Sequence, residues 1–218
     1  MNIIRRAYLS FIYRTGIYKK FIEGHDKVRV INHGSHKGKL LQFICGKNNS
    51  IELGRGVKFN KTKIRIVGNN NTIVFGDLCN IGPNCSFWME GNNIKIVIGN
   101  HCSFTHTCHF CAQEDNTKIL VGEDCLFSNT IIVRTSDSHP IYDIKNNKRI
   151  NNAKDVIIGN HVWIAPNSKI FKGATINNGA IIGSNTLVTN EIPNNSLAVG
   201  MPAKVIKTGV TWTHEKLF

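Results

Sequence analysis

Long apolar runs, acidic side chains and strong helix formers are all scarce in this sequence. No stretch of 18 apolar residues occurs, so no transmembrane helix is predicted. Only 14 Asp and Glu residues oppose 27 Lys and Arg residues, and the formal net charge is +13. Such a charge attracts nucleic acid, phosphate-bearing cofactors, acidic glycans or an anionic membrane, without selecting among them. The abundance of Asn, Gly, Ile and Val favours strands joined by tight turns.

The seven cysteines cannot all pair within one chain, because their number is odd. The N-terminus lacks the long apolar core and the small-residue cleavage site of a secretory signal. We therefore expect reduced thiols and a cytoplasmic protein, which at most touches the inner face of an anionic membrane.

A repeat of six residues is the strongest pattern in the sequence. From residue 158 to residue 188 every sixth residue is Ile or Val, and the fifth residue of each block is mostly small. The first positions are Ile158, Ile164, Ile170, Ile176, Ile182 and Val188, and the fifth positions are Val162, Ser168, Ala174, Ala180, Thr186 and Ile192. Neither an α-helix nor an ordinary strand has this period. The repeat predicts a parallel β-helix, with three faces in a coil of about 18 residues and first-position side chains stacked inside.

The upstream half shows the same frame with insertions. Leu53, Phe75, Ile98 and Val121 each precede a glycine, at intervals of 22, 23 and 23 residues. These intervals predict coils that each carry a loop of about four or five residues. Five cysteines occupy the fifth, inward-facing position of this frame: Cys79, Cys85, Cys102, Cys108 and Cys125. We interpret them as small buried hydrophobic side chains rather than as a redox or metal cluster.

The pattern divides the chain into four segments. Residues 1–24 have an amphipathic helical pattern, which predicts a cap over the open end of the core or, alternatively, a segment that touches an anionic membrane. Residues 25–50 are predicted to form connecting or capping strands, and residues 51–207 the β-helix. Within it, residues 139–155 break the frame and predict an extruded loop, a common place for function. Residues 208–218 form a short tail, expected to pack on a neighbouring surface.

Two segments resemble the hexapeptide-repeat O-acetyltransferases. One is 136–163, which contains the run His139-Pro140-Ile141-Tyr142-Asp143, and the other is 200–206, which reads Gly-Met-Pro-Ala-Lys-Val-Ile. The likeness is detailed over 120–207 and is greatest to bacterial capsule and lipopolysaccharide O-acetyltransferases, including those acting on sialic acid polymers. It implies an all-β, left-handed parallel β-helix, usually a homotrimer with active sites between subunits. Parallel crossovers are otherwise right-handed, so the handedness is implied by the resemblance alone.

The resemblance implies that His139 is the general base. An imidazole titrates near neutrality and can take the proton from a sugar hydroxyl as that hydroxyl attacks a thioester carbonyl. Asp137 either orients this imidazole or is a structural residue of the repeat. The candidates for binding the acceptor are Trp163, Tyr142, Arg149, His106 and Thr107.

The resemblance also implies acetyl-coenzyme A as the donor, held along the C-terminal coils, and no metal. Trp163 matches the tryptophan that walls the family's site near the reactive end of the donor. The further candidates are Ala165, Ser184 and Thr189 for the pantetheine arm and Lys204 and Lys207 for the phosphates, which suit an ammonium group. Phe171 and Asn177 stand where the family commonly has glycine or another small residue.

Three other functions are weighed against this one. The same base and groove would serve transfer to an amino sugar nucleotide, serine or an antibiotic. A zinc carbonic anhydrase shares the fold, and His101, His106 and His109 lie close in sequence, but no third ligand at repeat spacing is evident. A non-enzymatic module for acidic polymers would need aromatic and basic residues interleaved, which the sequence lacks. We therefore predict an O-acetyltransferase for a bacterial surface glycan, with no nucleic acid partner.

Overall fold

The computed structural model of the protein describes residues 22–23, 29–34 and 37–217. Within these residues the chain forms 23 β-strands and no helix. The strands are, in chain order, β1 (Ile22–Glu23), β2 (Arg29–Asn32), β3 (Lys37–Cys45), β4 (Ser50–Leu53), β5 (Lys58–Val67), β6 (Thr72–Phe75), β7 (Asn80–Ile81), β8 (Ser86–Glu90), β9 (Lys95–Ile98), β10 (Ser103–Phe104), β11 (His109–Gln113), β12 (Lys118–Val121), β13 (Leu126–Phe127), β14 (Ile132–Arg134), β15 (Val156–Ile158), β16 (Trp163–Ile164), β17 (Lys169–Ile170), β18 (Thr175–Ile176), β19 (Ile181–Ile182), β20 (Leu187–Val188), β21 (Glu191–Ile192), β22 (Ser196–Val199) and β23 (Lys204–Thr208).

The strands stack in parallel into the three faces of a triangular prism. Face A consists of β2, β4, β6, β9, β12, β15, β18 and β21, face B of β7, β10, β13, β16, β19 and β22, and face C of β8, β11, β14, β17 and β20. The long strand β5 bends round the corner between faces B and C, because Lys58 pairs with β7 whereas Lys63 pairs with β8. Each coil therefore runs from face A through face B to face C.

The predicted columns of stacked residues are present in register. On face A, Leu53, Phe75, Ile98 and Val121 are aligned on successive coils, and Ile158 continues the column. The alternation between inward and outward side chains leaves the inward residues of each strand almost fully buried. The six-residue frame is thus confirmed as a β-helix.

One position in the repeat is corrected by the structure. The six-residue count predicts the inward fifth position of the block that begins at Val188 for Ile192, but Ile192 pairs with Ile176 and continues the face A column on β21. The link between β20 and β21 has only residues 189–190, whereas four residues join β17 to β18. The shorter corner shifts the frame by two residues. Ile192 is 2% exposed, so its burial is as predicted even though its place in the coil is not.

Asparagines line the corner between faces C and A in the upstream coils. The loop residues Asn48, Asn70, Asn93 and Asn116 all have φ between 54° and 65°, a left-handed conformation that Asn tolerates better than most residues. Their side-chain amides form a ladder from coil to coil, with Nδ2–Oδ1 distances of 3.2, 3.3 and 3.2 Å. The extra loop residues of these coils therefore stack as regularly as the faces do.

The core is aromatic in the upstream coils and aliphatic in the later ones. Five phenylalanines are fully buried there: Phe75, Phe87, Phe104, Phe110 and Phe127. Their rings pack from coil to coil, and those of Phe104 and Phe127 are parallel with centroids 4.5 Å apart. Further down, the buried hydroxyl of Ser168 donates to the carbonyl of Gly183 at 2.9 Å, so this polar fifth-position residue is satisfied inside the prism.

The five cysteines predicted at the fifth position are small buried side chains, and each is 0% exposed. Cys79, Cys102 and Cys125 stack on successive coils, and each thiol donates to a glycine carbonyl of the next coil at 3.0–3.1 Å. Cys108 and Cys111 have the spacing of a CxxC motif, but Cys108 faces the core whereas Cys111 lies on the outer side of β11. All seven thiols are free.

We expect one of the seven thiols to react rapidly with an aromatic disulfide reagent in the native protein. Cys45 is half-buried, whereas the other six are at most 2% exposed. Burial also raises the pKa of Cys111 to about 11, so little of the reactive thiolate is present near pH 8. The Cys45→Ser variant should lose the rapid phase, and unfolding should expose the remaining thiols. Rapid labelling of two or more thiols in the native protein would contradict this burial.

The ends of the β-helix differ from its middle. The predicted helical segment 1–24 lies outside the described residues, apart from Ile22–Glu23, which pair with β3. Within 25–50, strands β2 and β3 pair in parallel with β4 and β5 and so form a coil. At the other end β23 pairs antiparallel with β22. Where the chain is described, no helix is long and apolar enough to cross a membrane.

Candidate active site

The extruded loop leaves the prism after β14 and returns at β15, at the corner between faces C and A. After the loop, β15 pairs with β12 on face A, with Val156 opposite Ile119. The loop is therefore an insertion that leaves the stacking of the coils intact. Its outer part is a short hairpin, in which the amide of Ile150 donates to the carbonyl of Ile141 at 2.9 Å. Tyr142, a predicted acceptor-binding residue, bridges to Arg149 across this hairpin and is 52% exposed.

Asn151 holds together the part of the loop that carries His139. Its side-chain amide donates to the carbonyl of His139 at 2.8 Å and to Asp137 at 2.9 Å. Its side-chain oxygen accepts from the amide of Ile141 at 2.7 Å. Asn151 is only 8% exposed, so these bonds are shielded from water. One buried side chain therefore holds the carbonyl of His139, the amide of Ile141 and the carboxylate of Asp137.

An ion pair anchors the base of the loop to the preceding coil. Arg149 makes a bidentate pair with Glu114, with both N–O distances at 2.7 Å, and Ser136 donates to Glu114 at 2.6 Å. These bonds, from Arg149 first, hold the pKa of Glu114 below its ordinary value. The guanidinium of Arg149 also donates to Asn151. The structure thus uses Arg149, a predicted acceptor-binding residue, to hold the loop.

Asp137 has partners other than the imidazole. Its carboxylate pairs with the ammonium group of Lys172 and accepts from Asn151. These contacts, led by that of Lys172, lower the pKa of Asp137. No hydrogen bond joins Asp137 to His139 in the described structure, and the His139 side chain is exposed. Of the two interpretations of Asp137, this geometry favours the structural one.

Replacing Asn151 with alanine is expected to lower kcat about tenfold, with little change in the KM for the donor. Its loss frees the main chain beside His139 and leaves the amide of Ile141 without its partner, which costs about 1–3 kcal/mol of folding free energy. Thermal unfolding and steady-state kinetics measure the two effects.

The matched control is Asn152→Ala, since Asn152 is the exposed neighbour. Equal kcat values for the Asn151 and Asn152 variants would show that the hydrogen bonds of Asn151 do not position His139.

Trp163 lies on the outer side of face B. It is half-buried on β16, and its indole nitrogen donates to the hydroxyl of Ser128 at 3.3 Å. The tail returns to this place, because the ring of Trp212 lies 6.2 Å from that of Trp163 and is only 7% exposed. The C-terminal tail therefore packs on the face that carries the predicted cofactor wall.

A carboxylate and two imidazoles hold this tail. Trp212 stacks on His161 at 4.4 Å and donates to its carbonyl at 2.8 Å. Asp124 lies 2.7 Å from one nitrogen of His161 and 2.9 Å from His214. Burial alone would raise the pKa of Asp124, but the two imidazoles outweigh it and lower that pKa. The sequence pattern gave no sign of this cluster, because its members are brought together only by the coil.

The predicted site residues fall into two groups on opposite sides of the prism. The corner between faces C and A carries His139, Asp137, Tyr142, Arg149 and Thr189. Face B, its edge strand β23 and its corner with face C carry Trp163, Ala165, Ser184, His106, Thr107, Lys204 and Lys207. Ala165 is 6% exposed, whereas Ser184 and both lysines lie at the surface. Because face B is opposite the corner that bears the loop, the packed core separates the two groups within one chain.

The three histidines weighed as zinc ligands are not brought together. His101 lies at the corner between faces A and B, His106 at the next corner, and His109 on face C. His109 contacts the hydroxyl of Ser86 at 2.6 Å, and burial, followed by the charge of Arg134, lowers its pKa. Across the described residues no group of three or more His, Cys, Asp or Glu side chains is placed to hold a metal ion.

The likeness to known proteins agrees with this architecture. Residues 155–190 match the bacterial transferase hexapeptide (six repeats) family. The polysialic acid O-acetyltransferase OatWY, a solved structure, is 31% identical, with a TM-score of 0.60 over 81% of this chain and 92% of that chain. The chain belongs to the hexapeptide-repeat acetyltransferases. The polySia-specific acetyltransferase NeuO is also similar, at 29% identity and a TM-score of 0.69 over 87% of this chain and 88% of that one.

Sequence relatives point to the same family. The polysialic acid O-acetyltransferase of Neisseria meningitidis is 34% identical over 137 residues, which are 60% of this chain and 59% of that protein. The polysialic acid O-acetyltransferase of Escherichia coli O1:K1 / APEC is 43% identical over 82 residues, 38% of this chain and 27% of that protein. The chain thus spans less than two thirds of these relatives. The predicted family and the left-handed parallel β-helix are confirmed.

Proposed function

We propose that this protein transfers the acetyl group of acetyl-coenzyme A to a hydroxyl of an acidic bacterial surface glycan. The names of the relatives support acetyl transfer onto such a glycan, since several are polysialic acid O-acetyltransferases. The seven free thiols support a reducing compartment, the cytoplasm. Contact of residues 1–24 with an anionic membrane stays a prediction.

The division of the site residues into two groups is the observation that carries the proposed active site. His139 and Trp163 lie on opposite sides of one prism, so one chain does not supply both to a single substrate. We infer that the loop of one copy lies against face B of another. A closed ring of identical chains repeats this contact without leaving an unpaired surface, and the resemblance to the family implies a ring of three. We therefore assign the active site to the interface between copies of a homotrimer.

In this arrangement His139 is the general base. Its imidazole takes the proton from the acceptor hydroxyl while the hydroxyl oxygen attacks the acetyl carbonyl, and later delivers that proton to the departing thiolate. Asn151 fixes the main chain beside it, and Lys172 keeps Asp137 ionised nearby. On the facing copy, Trp163 walls the reactive end, and the exposed Lys204 and Lys207 meet the donor's phosphates. The donor is a substrate rather than a resident group.

A panel of acceptors tests the proposal directly. The full chain is incubated with labelled acetyl-coenzyme A and, separately, with sialic acid oligomers, neutral oligosaccharides, an amino sugar nucleotide and serine. We expect thiol release and label transfer with the acidic oligosaccharide, in a product that mild alkali cleaves, as it does an ester. Transfer only to amines, in an alkali-stable amide product, would refute O-acetylation.

A further inference from the structure

A column of side chains on the outer side of face C leads away from the active-site loop. Arg65, Trp88, Cys111 and Arg134 occupy the same register position on β5, β8, β11 and β14. We call this set the arginine–tryptophan column. It spans three intervals between neighbouring strands, about 14 Å in total. That is long enough to meet more than one ring of an oligosaccharide.

Three nitrogen donors of this column are buried without a hydrogen-bond acceptor among the described residues. They are Nη1 of Arg65, Nε1 of Trp88 and Nε of Arg134. Buried polar groups in native proteins are nearly always paired, because an unpaired one costs its full desolvation free energy. Acceptors for these three donors have to come from outside the described residues, from water or from a bound molecule.

The column carries positive charge that its surroundings only partly balance. The guanidinium of Arg65 lies over the ring of Trp88 at 4.5 Å, and its nearest carboxylate, on Glu90, is 4.0 Å away. Arg134 donates to the neutral side chains of Gln113 and Ser138 at 3.2 and 2.5 Å. No ion pair of Arg134 occurs in the described part of the chain. An anion with several acceptor atoms would satisfy both guanidinium groups.

The column ends beside the proposed catalytic base. Ser138, which accepts from Arg134, is the chain neighbour of His139 and also donates to Gln113 at 2.7 Å. A molecule lying along the column would therefore reach the loop at His139. The order of basic, aromatic and basic side chains matches a sugar chain that bears carboxylates, because an indole packs against a sugar ring and a guanidinium pairs with a carboxylate.

We propose that the arginine–tryptophan column binds those sugars of the acidic glycan acceptor that are not being acetylated. Arg134 pairs with a sugar carboxylate next to the reacting ring, Trp88 packs on a following ring, and Arg65 meets a second carboxylate. This inference rests on the proposed function, since it concerns the acceptor of that reaction. A contact between two copies of the column is disfavoured, because their guanidinium groups would repel each other.

Equilibrium binding without the donor tests the column separately from catalysis. The probe is a sialic acid hexamer, with a neutral glucose hexamer as its uncharged counterpart. Arg134→Gln and Arg65→Gln are each expected to weaken binding of the acidic hexamer about tenfold or more, the usual effect of losing a charged hydrogen bond. The described contacts of the Arg65 guanidinium are with Phe43, Trp88 and Glu90, all outside the loop that carries His139. The control is Lys95→Gln, an equal loss of charge on exposed face A, with affinity within about twofold of the wild type.

Three results would overturn the inference. One is equal affinity of the wild type and both arginine variants for the acidic hexamer. Another is equal affinity of the wild type for the acidic and the neutral hexamer. The third is a change in the oligomeric state of the arginine variants, measured by sedimentation, with no change in their affinity for the acidic hexamer. That result would make the column a contact between copies. In each case the wild type is also assayed for hydroxyl acetylation, so failure of the column is distinguished from failure of the proposed reaction.

Discussion

His139→Ala is expected to lower the rate of acetyl transfer by about 10²- to 10⁴-fold, the range for loss of a general acid–base group. The side chain lies on an exposed loop, and the described contact of this residue is made by its main-chain carbonyl with Asn151. Removal of the imidazole therefore leaves the hydrogen bond between Asn151 and the carbonyl of residue 139 in place. Thiol release from acetyl-coenzyme A in the presence of the acidic acceptor measures the loss, and the unfolding temperature should stay unchanged.

The control for this substitution is another exposed histidine. His33 lies in the first coil, where its imidazole contacts Glu52 at 2.8 Å. His33→Ala should keep the rate of the wild type, because an exposed pair of this kind contributes little to stability. If the His139 variant kept more than about a tenth of the wild-type rate, the imidazole would not be the base.

The fold was predictable because residues that stack at the same place in successive coils recur at regular intervals in the sequence. Leu53, Phe75, Ile98 and Val121 mark successive coils even where loops interrupt the hexads, since each must fill the same place in the core. The six-residue count predicted the wrong position in the coil for Ile192. A corner shortened by two residues is invisible when the shifted residue is hydrophobic and would be buried in either frame.

The candidate site was predictable only in part. A break in the frame located the loop of His139, but the residues that hold the loop depend on contacts across long stretches of chain. Arg149 pairs with Glu114, and Lys172 with Asp137, in each case 35 residues apart. Such pairs follow from the stacking of coils whose loops differ in length, and no local pattern indicates them.

Aromatic and basic residues that are apart in the sequence alternate on the folded surface. Arg65, Trp88, Cys111 and Arg134 recur every 23 residues, the repeat of these coils, and therefore stack on face C. A linear search for interleaved aromatic and basic residues does not find this set. A search that compares residues 23 positions apart would find it.

Mixed oligomers of two inactive variants are expected to regain activity. His139→Ala removes the base on one side of the prism, and Trp163→Ala removes the wall on the other. If each active site takes His139 from one copy and Trp163 from the next, random assembly of equal amounts leaves about one quarter of the sites intact. Activity should therefore rise from near zero to about a quarter of the wild-type value when the two chains are co-expressed or refolded together.

The control is to mix the two variants after each has assembled, without exchange of chains, which should restore nothing. The test separates the two possible placements of the site, because a site contained in one chain cannot be repaired by any mixture of these variants. Co-assembled chains that stay inactive, while pull-down through a tag carried by only one variant shows mixed trimers, would place both residues at the same site of a single chain. The separation of the loop and face B by the packed core argues against that outcome.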